Sequence, residues 1–139
     1  MTDDDLVAAF EDGRIRGDEF HHVDHVRLGF LFMRRLPPWD ALPRFSRALA
    51  RMAAASGQPA RYHETITWAF LLLIRERIAR WGQQHGRPPN WEEFLAGNRD
   101  LLDWKDHVLK KYYEEQTLAS DLARTTFLLP DRRINPAAT

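Results

Sequence analysis

The chain has 139 residues, 44% hydrophobic and 12% aromatic, enough for one core and too few for two ordinary domains, so residues 1–139 are expected to form a single domain. Twenty Lys and Arg balance twenty Asp and Glu, which removes the long-range attraction that nucleic acids and anionic membranes exploit, and neither is expected as a partner. No cysteine occurs, excluding disulfides, thiolate zinc sites and thiol nucleophiles, and leaving any metal to His, Asp and Glu. The acidic start Thr2-Asp3-Asp4-Asp5 is unlike the basic head of a signal peptide, and no apolar run approaches a membrane span, so the expected location is the cytoplasm.

Thr2 or Asp3 is placed to cap a first helix through Leu6, Val7 and Phe10, which Gly13 stops. A second helix is predicted from about residue 22 to 36, its apolar surface made by Val26, Leu28, Phe30, Leu31 and Phe32, with Pro37-Pro38 ending it. Gly29 interrupts that helix at a cost of about 1 kcal/mol against alanine, which implies room beside it for another helix or a ligand. Asp40 is the expected cap of a third helix, with Pro43 in its first turn and Leu42, Phe45, Leu49 and Met52 facing the core. Arg44, Arg47 and Arg51 form a basic stripe that reads as a solvated face.

Seven consecutive apolar residues, 68–74, mark the helix predicted over 64–82 as the centre of a bundle, with Leu72 in the middle of the run and expected to be buried. Asn90 and Glu93 form a capping box for a short helix to about residue 96. Asp103 is an expected cap for a helix through Trp104, Val108 and Tyr112, and Thr117 for a last one to about residue 124. Residues 127–130 form an apolar strap, and the tail from Asp131 is expected to be loose. With no strand alternation and no phosphate-binding glycine loop, the fold class is all-α, a compact bundle around the 64–82 helix.

Four of the six histidines stand at the heads of two of these helices, in Phe20-His21-His22-Val23-Asp24-His25 and in Tyr62-His63-Glu64. His22 and His25, or His21 and His25, share a helix face one turn apart and can present two imidazoles to one point. A third imidazole from His63 would complete a divalent transition-metal site (zinc, iron, nickel and copper are not distinguished), with positions left for water or substrate. Asp24 would support the ligands, and Glu64 would serve as a fourth ligand or as the base for metal-bound water. A His22–Asp24 facial pair requires an irregular backbone, because residues two apart on a helix diverge by about 200°. A metal-free alternative pairs His63 with Tyr62 or Glu64 for proton transfer. In the structural alternative, His21 and His22 decorate a helix start, while His63 caps the central helix and Glu64 complements its dipole. His85 and His107 read as surface residues. Trp39, Trp68, Trp81, Trp91 and Trp104 are core fillers first and pocket walls second.

Phe20-His21-His22-Val23-Asp24-His25-Val26-Arg27-Leu28 and Tyr62-His63-Glu64-Thr65-Ile66-Thr67-Trp68-Ala69-Phe70 resemble a family of small bacterial helical proteins of unknown function. The likeness continues through Arg75-Glu76-Arg77, Ala123-Arg124 and Phe127-Leu128-Leu129-Pro130-Asp131, and so covers most of the chain. The resemblance implies that His22, Asp24, His25 and His63 matter, and His21 less; it attaches no activity to them.

Three functions follow as expectations: a metal-dependent enzyme acting on a small metabolite, a non-catalytic module that binds a metal or small ligand, and a helical interaction protein with structural histidines. A homo-oligomer is compatible with each.

Overall fold

A computed structural model describes residues 2–132, and all regular structure among them is helical. Helix α1 (Asp3–Glu11) starts from a capping box in which the Thr2 hydroxyl accepts the Asp5 N–H while the Asp5 carboxylate accepts the Thr2 N–H. It is followed by α2 (His22–Arg35), α3 (Pro38–Ala55), α4 (Glu64–His85), α5 (Trp91–Gly97), α6 (Glu115–Leu118) and α7 (Asp121–Thr125), with short 3-10 segments between some of them, two of these between α5 and α6. Their apolar faces share one core, whose largest fully buried members include Phe10, Phe30, Phe32, Phe45, Phe94 and Tyr113. No helix among the described residues is long and apolar enough to cross a membrane.

The pairing of α2 with α4 sets the architecture, and Gly29 explains how close it is. A Cβ there would stand 2.9 Å from Ile74 Cδ1 and 3.2 Å from Leu71 Cδ2, so the missing side chain is the space that α4 occupies. The two helices run in the same direction. His22 packs on Phe70, Gly29 on Leu71 and Ile74, and beyond them the Arg75 guanidinium reaches the carbonyls of Met33 and Leu36, so the partner's number rises along both helices. The returning helix α3 makes this possible, and both N-termini therefore lie at one end of the bundle.

Several boundaries differ from the sequence reading for identifiable reasons. Helix α3 begins two residues before Asp40, because Pro38 suits a first helical position; Pro43 then lies beyond the first turn, where it removes a donor to the carbonyl of the exposed Trp39. Helix α4 continues past Gly82 to His85 and stops at Gly86, whose φ of 74° is the left-handed C-cap that glycine adopts without penalty. The capping box of Asn90 and Glu93 is present as expected. Asp103 caps no α-helix: its carboxylate accepts the Asp106 N–H in a turn between two 3-10 segments, Arg99–Leu102 and Val108–Lys111. Ser120 rather than Thr117 caps the last helix.

Leu72 corrects the expectation of a helix buried all round. It is 38% exposed, while Leu71, Leu73 and Ile74 on either side of it are buried. The apolar run is longer than the surface its neighbours can cover.

The strap over residues 127–130 is present. The Thr65 hydroxyl, buried in the first turn of α4, donates to the Thr126 carbonyl (2.7 Å) and accepts the Leu128 N–H (3.1 Å), while Tyr113 donates to the Leu128 carbonyl (2.7 Å). The tail is held further than expected. The Asp131 carboxylate accepts the Glu114 N–H and the Thr117 hydroxyl, which keeps its pKa below the usual carboxylate range, and the Arg132 N–H reaches the Tyr112 carbonyl. The rest of the expected loose tail, 133–139, lies outside the described residues.

Candidate functional site

At the shared end of α2 and α4 lies a cavity of about 510 Å³. His21, His22, His25 and His63 all line it, so the two histidine-bearing heads meet as the sequence suggested. Phe20, Leu49, Met52, Ile66 and Trp104 give it an apolar wall, and Ser56, Arg61, Tyr62 and Thr67 contribute polar groups. A hollow of about 30 Å³ reached past His22 and His25 adjoins Phe45, Phe70 and Leu71. No aspartate or glutamate is among the lining residues of either.

The histidines share the cavity without sharing a role. His63 is the N-cap of α4: its Nδ1 accepts the Ile66 N–H at 3.0 Å, so the ring proton is on Nε2, which donates to the Leu118 carbonyl at 2.8 Å. Both nitrogens are committed. His22 Nε2 lies 2.7 Å from the Leu101 carbonyl, a contact that requires the proton there and leaves Nδ1 uncommitted. His25 packs against Phe20 and Phe45 at ring-centre distances of 5.1 and 5.7 Å and hydrogen-bonds through its ring to no described residue. Burial, followed by the neighbouring His22, pushes the His25 pKa down to about 4. A neutral imidazole therefore faces the cavity at neutral pH.

The carboxylates expected to assist are turned to local tasks. Asp24 accepts the His21 N–H at 3.1 Å, closing the start of α2. Because α2 is regular from His22 onward, His22 and Asp24 diverge and the facial pair is not formed. Glu64 accepts the Tyr62 hydroxyl, and burial followed by that bond raises the phenol's pKa well above its usual value. Tyr62 thus pairs with Glu64 rather than with His63, so the acid–base pair built on His63 is not assembled either.

His22, His25 and His63 do not form a ligand set in this arrangement. Two imidazoles on one tetrahedral ion, with metal–nitrogen bonds of about 2.0–2.1 Å, hold their ring centres about 5 Å apart. His22 and His25 are 6.3 Å apart, and His63 has no free nitrogen to offer. Among the described residues no group of three His, Asp or Glu is disposed to hold a metal ion.

Of the cavity residues, Trp104 is expected from the sequence only as a pocket wall second to a core filler, and Phe20 and Arg61 are not expected as site members. Trp104 lies in the irregular segment after α5, where no periodicity marks it. It is placed there by the Arg77–Asp100 ion pair (2.7 and 2.9 Å) and by the hold of His22 on Leu101. Its indole rests 5.0 Å from the His22 ring and 5.2 Å from His107, and it is half exposed. His107 is not the surface residue expected: it is half-buried, its Nδ1 has no hydrogen-bond partner among the described residues, and burial lowers its pKa. His85 is exposed as expected, stacked on Trp81 at 3.7 Å. Of the remaining tryptophans, Trp68 donates to the Ser46 hydroxyl, Trp91 packs against Phe30 and Phe94, and Trp39 is open to solvent. Arg44, Arg47 and Arg51 are exposed, and Arg44 grips Glu11 of α1.

Comparisons with protein-family models, with curated proteins and with solved structures returned no match. The site is therefore read from its own geometry, and the family likeness of the two motifs remains an expectation.

Proposed function

We propose that this protein binds a small organic ligand in the cavity between the heads of α2 and α4 and the end of α3. The observation that carries the reading is the union of an apolar wall with uncommitted, neutral imidazole at His25 in a space of about 510 Å³. Small-molecule sites combine a largely apolar lining with a few convergent polar groups in this way. Metal-dependent catalysis is the weaker reading, because it requires His63 to give up the cap of α4 and the Leu118 carbonyl together.

The test is a ligand-observed magnetic resonance screen of small organic fragments, followed by mapping on the isotope-labelled protein. Hits are expected to shift His25, Ile66 and Trp104 together. Ala53→Trp, which places an indole in the cavity from α3, is expected to abolish those hits while helical circular dichroism is retained. Hits that map elsewhere, or that persist in the Ala53 variant, would overturn the proposal.

A further inference from the structure

We infer that the ligand is a small organic acid with an aromatic or bulky apolar body, its carboxylate directed to Arg61. This rests on the cavity being a ligand site and adds the charge and shape of the ligand.

The sign of the charge follows from what the lining contains and what it lacks. Arg61, in the 3-10 turn Pro59–Arg61 just before α4, is the cation of the lining. Its guanidinium is held by the neutral Gln58 side-chain carbonyl at 3.0 Å and pairs with no carboxylate among the described residues. Arg14, Arg16, Arg35, Arg44, Arg80 and Arg87, also exposed, each have an acidic partner within 4 Å, whereas Arg34, Arg47, Arg51, Arg99 and Arg132 have none among the described residues and do not line this cavity. Since no Asp or Glu lines the cavity, a bound cation would meet no opposite charge, whereas a carboxylate would meet a planar two-pronged donor. Both α2 and α4 begin at this cavity, and their positive ends act in the same direction; Asp24 and Glu64 offset part of that field from outside the lining.

The body of the ligand follows from the remaining walls. Phe20, Trp104 and Ile66 present flat or broad apolar surface, with Leu49 and Met52 on the α3 side. A fused ring fits such walls through dispersion and burial, and methionine adapts to its edge. The neutral His25 and the Nδ1 of His22 are left to hydrogen-bond a hydroxyl or ring N–H of the ligand.

Three probes of one shape decide between charges: 1-naphthaleneacetate, the neutral 1-naphthaleneacetamide and the cationic 2-(1-naphthyl)ethylamine, titrated calorimetrically at low salt. The acid is expected to bind at least about tenfold more tightly than the amide, and the amine more weakly than either, as a two-pronged ion pair with the guanidinium differs from a single bond to a neutral carbonyl. Arg61→Gln, an exposed position whose replacement leaves the core untouched, is expected to remove the acid's advantage by weakening the acid at least about tenfold more than the amide. Equal binding of acid and amide, or an acid advantage that survives in Arg61→Gln, would overturn the assignment of an acid while leaving the cavity as the ligand site. Failure of all three probes to bind, or binding that Ala53→Trp does not diminish, would overturn the cavity reading and the acid with it.

Discussion

The heads of α2 and α4 are built alike and behave differently. Each has a histidine at its N-cap position, an acidic residue in its first turn and a place on the same cavity. At α4, His63 finds a backbone N–H on one side and the Leu118 carbonyl on the other, and both of its nitrogens are bound. At α2, Asp24 closes on the His21 N–H, His22 gives one ring nitrogen to the Leu101 carbonyl and keeps Nδ1 unbonded, and His25 hydrogen-bonds through its ring to no described residue. One head is therefore fully engaged and the other partly available, although each opens with a histidine and an acidic residue. Availability is decided by which distant carbonyl the rest of the chain delivers.

The largest expected effect that sharpens this contrast is a pH dependence at His25. Its folded-state pKa is about 4 against an ordinary 6.5, so between those values the unfolded chain binds a proton that the folded one refuses. Stability is present above about pH 6.5 and falls as pH is lowered toward 4, by roughly 3 kcal/mol for a shift of this size. Urea unfolding at a series of pH values measures it, and His25→Gln is expected to flatten the slope; a slope unchanged in that variant would place its origin elsewhere, His107 being the first candidate, since burial lowers its pKa as well.

Next in size is His63→Ala, which removes the cap of α4 and the bond to Leu118 and is expected to cost about 1–3 kcal/mol. His63→Asn, which restores a capping oxygen, should recover part of that loss. Added zinc is expected to change neither variant's stability relative to the native chain; a zinc-dependent stabilisation of the native chain that His63→Ala abolishes would break the contrast by making the α4 head a ligand.

A last comparison lies within the body of α4, where the smallest effect is expected at one position and a large one at its neighbour. Leu72→Ala is expected to cost about 1 kcal/mol or less, because the side chain is already 38% exposed, whereas Leu71→Ala should cost about 2–5 kcal/mol through loss of burial and a cavity. Equal losses at the two positions would show that something covers Leu72 in solution.

What the sequence made legible is what local rules govern. Helix class, a cap at Thr2, the Asn90 capping box and the meaning of Gly29 follow from spacing and residue type alone, and each is seen in the structure. The position of Leu72 was not legible, since a run of seven apolar residues carries no phase to say which side lacks a neighbour. The site was half legible. Histidines at two helix heads marked the cavity's place, but the engagement of His63 depends on Leu118, which is 55 residues away. Trp104 and Arg61 sit in short irregular turns whose course is set by tertiary bonds such as Arg77 to Asp100, and no periodicity announces them.

The clasp on Thr65 bears on how the chain is made. Its hydroxyl waits for Leu128, 63 residues later, and His63 waits for Leu118. At synthesis rates of ~5–20 residues per second, that interval is about 3 to 13 seconds. During it the first turn of α4 exists without the carbonyls that hold it, and the cavity lacks the partner that fixes one of its walls. A nascent chain stalled before Leu118 would carry all four cavity histidines without the carbonyl that holds His63.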